Sequence, residues 1–495
     1  MENYLLAIFA GILLGIPFKF PSLALLAWVG LIPLLFALEN NKGKASFKLG
    51  WTTGMVFLAI SSYWLLISVA NFSDYPLIVS TLIFVVAIAI ISLYFGLFAL
   101  LLNSLKGKIS ILIITPLVWT GVEFLRTVFS FQFLFAFLGY SQAFIPQLIQ
   151  LAQYGGVYLV TFIISLVNTL LYVALKERKI KYLLTAALIF ALLFTYGNTT
   201  LKQEVVAKKE FTVGVMQPNI PQEMKLSRDK QGEVINKILN LTSQELAKGD
   251  PDLMIWPETA ILRGYYEDRK FPYAFYRDNP LFIGGHIREN GHYLNSAFLV
   301  DSNRDIVQRY SKVKLVPWGE YVPFPKLIPD IIETTLNHIT PGNKLVAFNL
   351  KGVTWISPIC SEILNPFYIR KLYQQNDFMI NISNEAWFGK SHASLQVLQA
   401  AIFRAVEHRT PVVKVGNTGI SGVISQRGEI LARTKIFKTK TFTFNLPISE
   451  RKETFYDKFG DVFGWLNLIV TVSLLIIHNR NKINFFKNIN NSKNN

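Results

Sequence analysis

The sequence predicts two parts: a multi-pass α-helical membrane domain and an α/β domain. Three observations carry this. Residues 1 to about 198 are nearly continuous apolar runs with scarce charge. From 201 to 458 short β-rich runs alternate with helical stretches and turns, the pattern of an α/β domain. A last apolar run, "GDVFGWLNLIVTVSLLIIH", fills 460–478. The chain has 495 residues, enough for more than one domain.

A run of about 20 apolar residues matches the hydrocarbon core of a bilayer. Seven transmembrane helices are expected in 1–198, near 4–17, 22–38, 50–70, 77–104, 109–130, 151–175 and 182–198, with an eighth at 460–478. The first two are short and read as a tight or re-entrant pair. The first lacks a basic leader and further spans follow at once, so it does not read as a cleaved signal peptide.

Lysine and arginine in short loops set the orientation. They occur at Lys42, Lys44 and Lys48, at Lys106 and Lys108, in "KERKIK" (176–181), and in the tail at Arg480, Lys482, Lys487 and Lys493. The intervening "NFSDYP" has none. The alternation places both termini in the cytoplasm and residues 201–458 on the opposite side. The Asn/Lys-rich tail, 479–495, reads as a disordered cytoplasmic basic tail.

The formal charge is +17, divided about equally between the two parts. In the α/β domain the excess serves either solubility or attraction to anionic headgroups. A domain facing away from the cytoplasm has no nucleic acid to meet.

Strands are expected in "FTVGVMQPNI", "PDLMIWPETA", "LFIGGHI", "NSAFLVDSNRDIVQRY", "VTWISPICSE", "FMINISNEAWFG" and "PVVKVGNTGISGVISQRGEIL". Helices are expected in "SRDKQGEVINKILNLTSQELAKG" and "SLQVLQAAIFRAVEHR". Polar groups stand where several strands end: Glu258 after one, Cys360 after another. Between them runs "YSKVKLVPWGEYVPFP", with Lys312, Lys314 and Glu320.

Cys360 is the only cysteine, so no intramolecular disulfide and no cysteine-rich metal site can form. A lone cysteine is most often a small buried hydrophobe. The neighbours suggest more. A thiol attacks as thiolate, and a carboxylate with an ammonium beside it would take the proton and hold the charge. The turn after the strand would offer the Ser361 backbone N–H to an oxyanion. None of the six histidines sits in a motif, and neither H-E-x-x-H, G-x-G-x-x-G nor a P-loop occurs. No cofactor and no metal is called for.

The order Glu–Lys–Cys on "WPET", "YSKVKLVPWGEYVP" and "ICSE" resembles the nitrilase (carbon–nitrogen hydrolase) superfamily. With the membrane frame, the chain resembles the apolipoprotein N-acyltransferase family of bacterial inner membranes. "IPFKFPSLALLAWVGLIPLLFAL", "GVEFLRTVF", "LGYSQ", "MQPNIPQEMK", "SNEAWFGKS" and "FRAVEHRTPVVKVGNTGISGVI" carry the likeness over nearly the whole length. The resemblance implies a nitrilase-like αββα sandwich over 201–458, outside the cytoplasm. It implies Glu258 as general base, Lys312 rather than Lys314 as the stabilising cation, and Cys360 as nucleophile. Glu320 and Glu362 would be supporting acids, and Trp387, Trp256 and Trp318 substrate-binding aromatics.

The implied reaction moves an acyl chain from a phospholipid donor, through a thioester on Cys360, to the α-amine of a diacylated apolipoprotein. The lipid bilayer is then a further partner, and "VPWGEYVPFP" an apolar lid. Otherwise Glu258 would cap a helix, Lys312 would be a solvated charge, and Trp256 and Trp387 would be core aromatics. Glu123 and Arg126 read as an ion pair or as a headgroup contact. A membrane-tethered amidase for a small amide, and a non-catalytic lipid carrier, are the competing readings. The chain departs from the family at Ser361, at Gln132–Phe135, at Glu385 and at Leu226.

Overall fold

The computed structural model describes residues 1–72, 75–129, 132–265, 271, 279–321 and 339–492, with backbone alone at 72, 261–265 and 479–492. Residues 322–325 of the expected lid therefore lie outside the described residues. The chain divides into two compact units, 1–202 with 455–495, and 203–454.

In the first unit, five helices are long and apolar enough to cross a membrane: Glu2–Lys19, Leu77–Leu105, Ile111–Val128, Ala152–Glu177 and Ile180–Lys202. Lys44–Ser61 and Trp64–Asn71 together pass the same test as a pair bent by 60°. The helix breaks at Ser62, which leaves helical geometry. The span expected at 22–38 is not one long helix. It is a 3-10 run, Pro21–Trp28, followed by the six-residue helix Ile32–Ala37, each opened by a proline. Val462–His478 is likewise a shorter apolar helix. The tail expected to be disordered continues that helix to Ser492, and neither Gly nor Pro stands in 479–492 to stop it.

Glycines let these helices touch. A Cβ on Gly50 would stand 2.3 Å from the Phe95 carbonyl oxygen, so only glycine permits that approach. Glu123 and Arg126 are both buried. Glu123 accepts from Thr161 Oγ1 at 2.6 Å and from the Leu138 amide at 2.9 Å. Arg126 donates to the Phe133 and Phe135 carbonyls at 3.0 and 2.6 Å. Both charges are thus used to hold the backbone of 133–138.

The second unit holds two sheets. Its first strands are β1 (Ala207–Gln217), β2 (Leu253–Ile255), β3 (Ile261–Tyr265), β4 (Leu281–Glu289), β5 (His292–Val300) and β6 (Ile306–Ser311). Then follow β7 (Ala347–Leu350), β8 (Val353–Ile356), β9 (Phe378–Ser383), β10 (Val412–Gly416), β11 (Gly422–Ile424), β12 (Ile430–Arg433) and β13 (Lys440–Ser449). The helices are α1 (Gln222–Leu226), α2 (Gln231–Leu246), α3 (Pro366–Tyr373) and α4 (Ala393–His408). One sheet runs β13-β1-β2-β4-β5-β6, with β3 beside β4; the other runs β12-β11-β10-β9-β8-β7. β1, β2 and β4 are parallel, as are β8, β9 and β10.

Side chains alternate across each strand, and the alternation assigns the layers. Phe211 and Phe282 of the first sheet pack on Phe348, Trp355 and Phe378 of the second. Their neighbours Met216, Met254, Trp256, Leu281 and Ile283 face the other way, into a core with Val234 and Ile238 of α2. Helix α4 covers the second sheet, with nearly every residue buried. The result is an αββα sandwich.

Candidate active site

In parallel sheets, reacting groups collect just past the carboxyl ends of the strands. Here Glu258 stands three residues past β2, Cys360 four past β8, Asn384 one past β9 and Asn417 one past β10. Lys312 directly follows β6 and pairs through its amide with the Asn295 carbonyl at 2.8 Å.

The Glu258 turn lies flat on β4. A Cβ at Gly284 would stand 2.5 Å from Glu258 Cα, so the first glycine of the pair in "LFIGGHI" could not be exchanged freely. The carboxylate is held at both oxygens. Asn295 Nδ2 donates to Oε1 at 2.7 Å, and the Asn384 amide to Oε2 at 2.6 Å. Asn384 is itself held, donating to Gln222 Oε1 at 3.0 Å and accepting from Asn417 Nδ2 at 2.9 Å.

Lys312 is 1% exposed. Its Nζ donates to Glu320 at 2.9 and 2.8 Å and lies 4.0 Å from Glu258 Oε1. Burial pushes the ammonium down, but Glu320, Cys360 and Glu258 outweigh it and raise it well above an ordinary lysine. Burial likewise raises Glu320, yet Lys312 and the Val316 amide bring that carboxyl below its ordinary value. Glu320 closes a tight turn by accepting from the Val316 amide at 2.8 Å. Trp318 stands at that turn with φ 65° and is 51% exposed.

Cys360 opens a 3-10 turn, Cys360–Leu364, with φ 52°, a left-handed conformation costly for a non-glycine residue. The side chain is half-buried. Burial and the Glu258 charge push the thiol well above its ordinary value, with Lys312 opposing. Desolvation and the neighbouring carboxylates together outweigh the one ammonium.

Glu362 ties the Cys360 loop to the Lys312 loop. It accepts from the Ile359 amide at 2.8 Å, the Val313 amide at 2.8 Å and the Lys314 amide at 2.9 Å. Tyr310 Oη donates to the same carboxylate at 2.9 Å and pairs with Tyr368 Oη at 2.6 Å. Burial raises Glu362 to about 7 despite those donors. Lys314 contributes its backbone here; its ammonium lies 6.0 Å over the Tyr368 ring.

Glu258, Lys312, Cys360, Glu320 and Glu362 are therefore one connected cluster. Trp387 is 40% exposed on the short turn Glu385–Phe388 and offers a face, as does Trp318. Trp256 does not. It is 0% exposed and packs edge-to-face on Phe271, because strand alternation points it with Met254 into the helix layer. Sequence reasoning passed over Asn295, Asn384, Asn417, Gln222 and Lys225. All five stood within quoted stretches, Asn295 at the start of "NSAFLVDSNRDIVQRY", but nothing in their local sequence marked them. Among the described residues, no three His, Cys, Asp or Glu are placed to hold a metal.

Comparison with known proteins extends this. The family described as "Apolipoprotein N-acyltransferase N-terminal domain" matches residues 10–170, and "Carbon-nitrogen hydrolase" matches 212–455. An apolipoprotein N-acyltransferase of Geobacter metallireducens is 32% identical over 94% of this chain and 93% of its own length. One from Pasteurella multocida is 29% identical over 96% and 94%, and one from Vibrio cholerae 29% over 88% and 89%. With both domains matched and a relative this similar along nearly its whole length, the chain belongs to the apolipoprotein N-acyltransferase family.

Proposed function

We propose that this acyltransferase moves an acyl chain from a phospholipid to the α-amine of a diacylglyceryl-cysteine at the N-terminus of apolipoproteins, with Cys360 carrying the chain in between. The observation that carries the reading is the buried Lys312 ammonium set between Glu258 and Glu320 at the strand ends that also present Cys360.

In the first half-reaction Glu258 takes the thiol proton as the sulfur attacks the ester carbonyl. The oxyanion meets Lys312 and the Ser361 amide. The carbon–oxygen bond breaks, the leaving alkoxide takes the proton back from Glu258, and a lysophospholipid departs. A thioester remains. In the second, the acceptor amine attacks that thioester and Glu258 takes its proton. The carbon–sulfur bond breaks, and the proton returns to the thiolate. A covalent intermediate divides one hard transfer into two easier ones and gives ping-pong kinetics.

A membrane enzyme suits such substrates. Drawing a chain of about sixteen methylenes into water would cost more than about 12 kcal/mol, at ~0.8 kcal/mol each. We assign 1–198 and 460–478 to the bacterial inner membrane, 201–458 to its periplasmic side, and 479–495 with the N-terminus to the cytoplasm. The in-phase alternation of loop lysines and arginines supports this. Trp318 and Trp387 are assigned to the substrate path by their exposed rings.

Intact mass spectrometry of the purified protein after incubation with phospholipid vesicles tests the reading. An added acyl mass, absent in Cys360→Ala and discharged by a diacylated lipopeptide, is expected. No adduct, or ammonia released from small amides instead, would overturn it.

A further inference from the structure

Helix α1 has only five residues, yet two of its side chains bear on the Glu258 segment, Gln222 through Asn384 and Lys225 directly. Gln222 accepts from Asn384 Nδ2 at 3.0 Å, and the Asn384 amide holds Glu258 Oε2. One turn on, Lys225 Nζ lies 3.4 Å from both the Glu258 carbonyl oxygen and the Thr259 hydroxyl. Lys225 is 1% exposed.

A lysine at this depth loses its hydration and needs partners to be retained. Burial draws Lys225 down to about 7, with Glu258 opposing. Its nearest partners are the backbone and hydroxyl of the turn rather than the carboxylate itself. That turn is strained. Thr259 has φ 47°, an outlier for a β-branched residue, and such backbone persists only where its surroundings over-determine it. His286, close to Lys225, Lys312 and Glu320, is pushed by burial to about 4, so it contributes no charge there at neutral pH.

We propose that Lys225 is a positioning residue for Glu258: it pins the Glu258 carbonyl and the Thr259 hydroxyl, and so holds the strained turn that sets the carboxylate beside Lys312. This rests on the acyl-transfer reading above, since it supposes that Glu258 is the base of both half-reactions. It departs from a packing role, because a methionine of similar shape would fill the space but leave the turn unpinned.

The test uses the full chain in detergent with phospholipid and a diacylated lipopeptide. Lys225→Met is expected to lower kcat at least tenfold with KM for the lipopeptide within twofold, and to slow both adduct formation and discharge. Lys225→Arg is expected to recover a third or more of the loss. Thr259→Ala is expected to cost about threefold, and Lys225→Met with Thr259→Ala no more than Lys225→Met alone.

A Lys225→Met enzyme with kcat within twofold of wild type, or one that raises KM with kcat unchanged, overturns the proposal. Should Lys225→Met lose its melting transition, Thr259→Ala decides, and wild-type kcat in that variant overturns it. A wild-type protein that forms no adduct sinks the acyl-transfer reading and this inference together. A wild-type adduct with unaffected Lys225 variants sinks this inference alone.

Discussion

Buried charge is used differently in the two units. In the membrane-type unit, Arg126 donates to two carbonyls of 133–138, and Glu123 accepts from the Leu138 amide and from Thr161. In the α/β unit, Glu258, Lys312 and Glu320 face one another, with Asn295 bridging the two carboxylates. The first arrangement satisfies a loop that has no helix to bond with. The second holds one ammonium between two carboxylates. Burying ions is costly in both cases, so the destination of each hydrogen bond, rather than the burial, distinguishes the two arrangements.

Substitutions that remove one member of each arrangement sharpen or break this contrast. Cys360→Ala should abolish the acyl adduct completely while the protein still melts cooperatively; an adduct elsewhere would remove the α/β cluster from the chemistry. Glu258→Gln should slow both half-reactions by roughly 10²–10⁴-fold, measured as adduct formation and discharge in single turnovers. Lys312→Met should cost on the order of 10²–10³-fold in acylation and also lower the melting temperature, since Glu320 is left buried beside an apolar group.

Glu123→Gln should show the opposite balance. Loss of one acceptor and of the charge beside Arg126 should destabilise by about 3 kcal/mol, read as a lower thermal midpoint in detergent, with turnover per folded molecule changed less than threefold. A catalytic loss as deep as that of Lys312→Met would erase the contrast between the units.

The smallest effect concerns pH. Folding raises Glu362 from 4.5 to about 7, so the protonated form is favoured in the native state. Its contribution to stability is full below about pH 4.5 and is lost as pH rises through about 7. Between about pH 5 and pH 8 the wild-type midpoint should therefore fall more steeply than that of Glu362→Gln. Parallel curves would show that Glu362 is not the titrating group.

Much of this was legible in the sequence, and the misses have physical causes. Apolar run length marked the long helices, but Pro21 and Pro33 divide the second run into pieces too short to count as one. Strand-end position marked Glu258 and Cys360. Spacing could not separate Lys312 from Lys314, because the choice depends on which side chain turns inward after β6. Trp256 was read as a pocket aromatic, although its even spacing from Met254 already placed the two on one face. The asparagines stayed hidden because their role is made by pairing across long separations. Asn384 and Glu258 are 126 residues apart, and Asn295 reaches the base only through the register of β4, β5 and β6.

The Glu362 carboxylate gathers amides from the Cys360 loop and from the Lys312 loop. One carboxylate thus fastens two strand ends to each other, so a change in that side chain alone would loosen both.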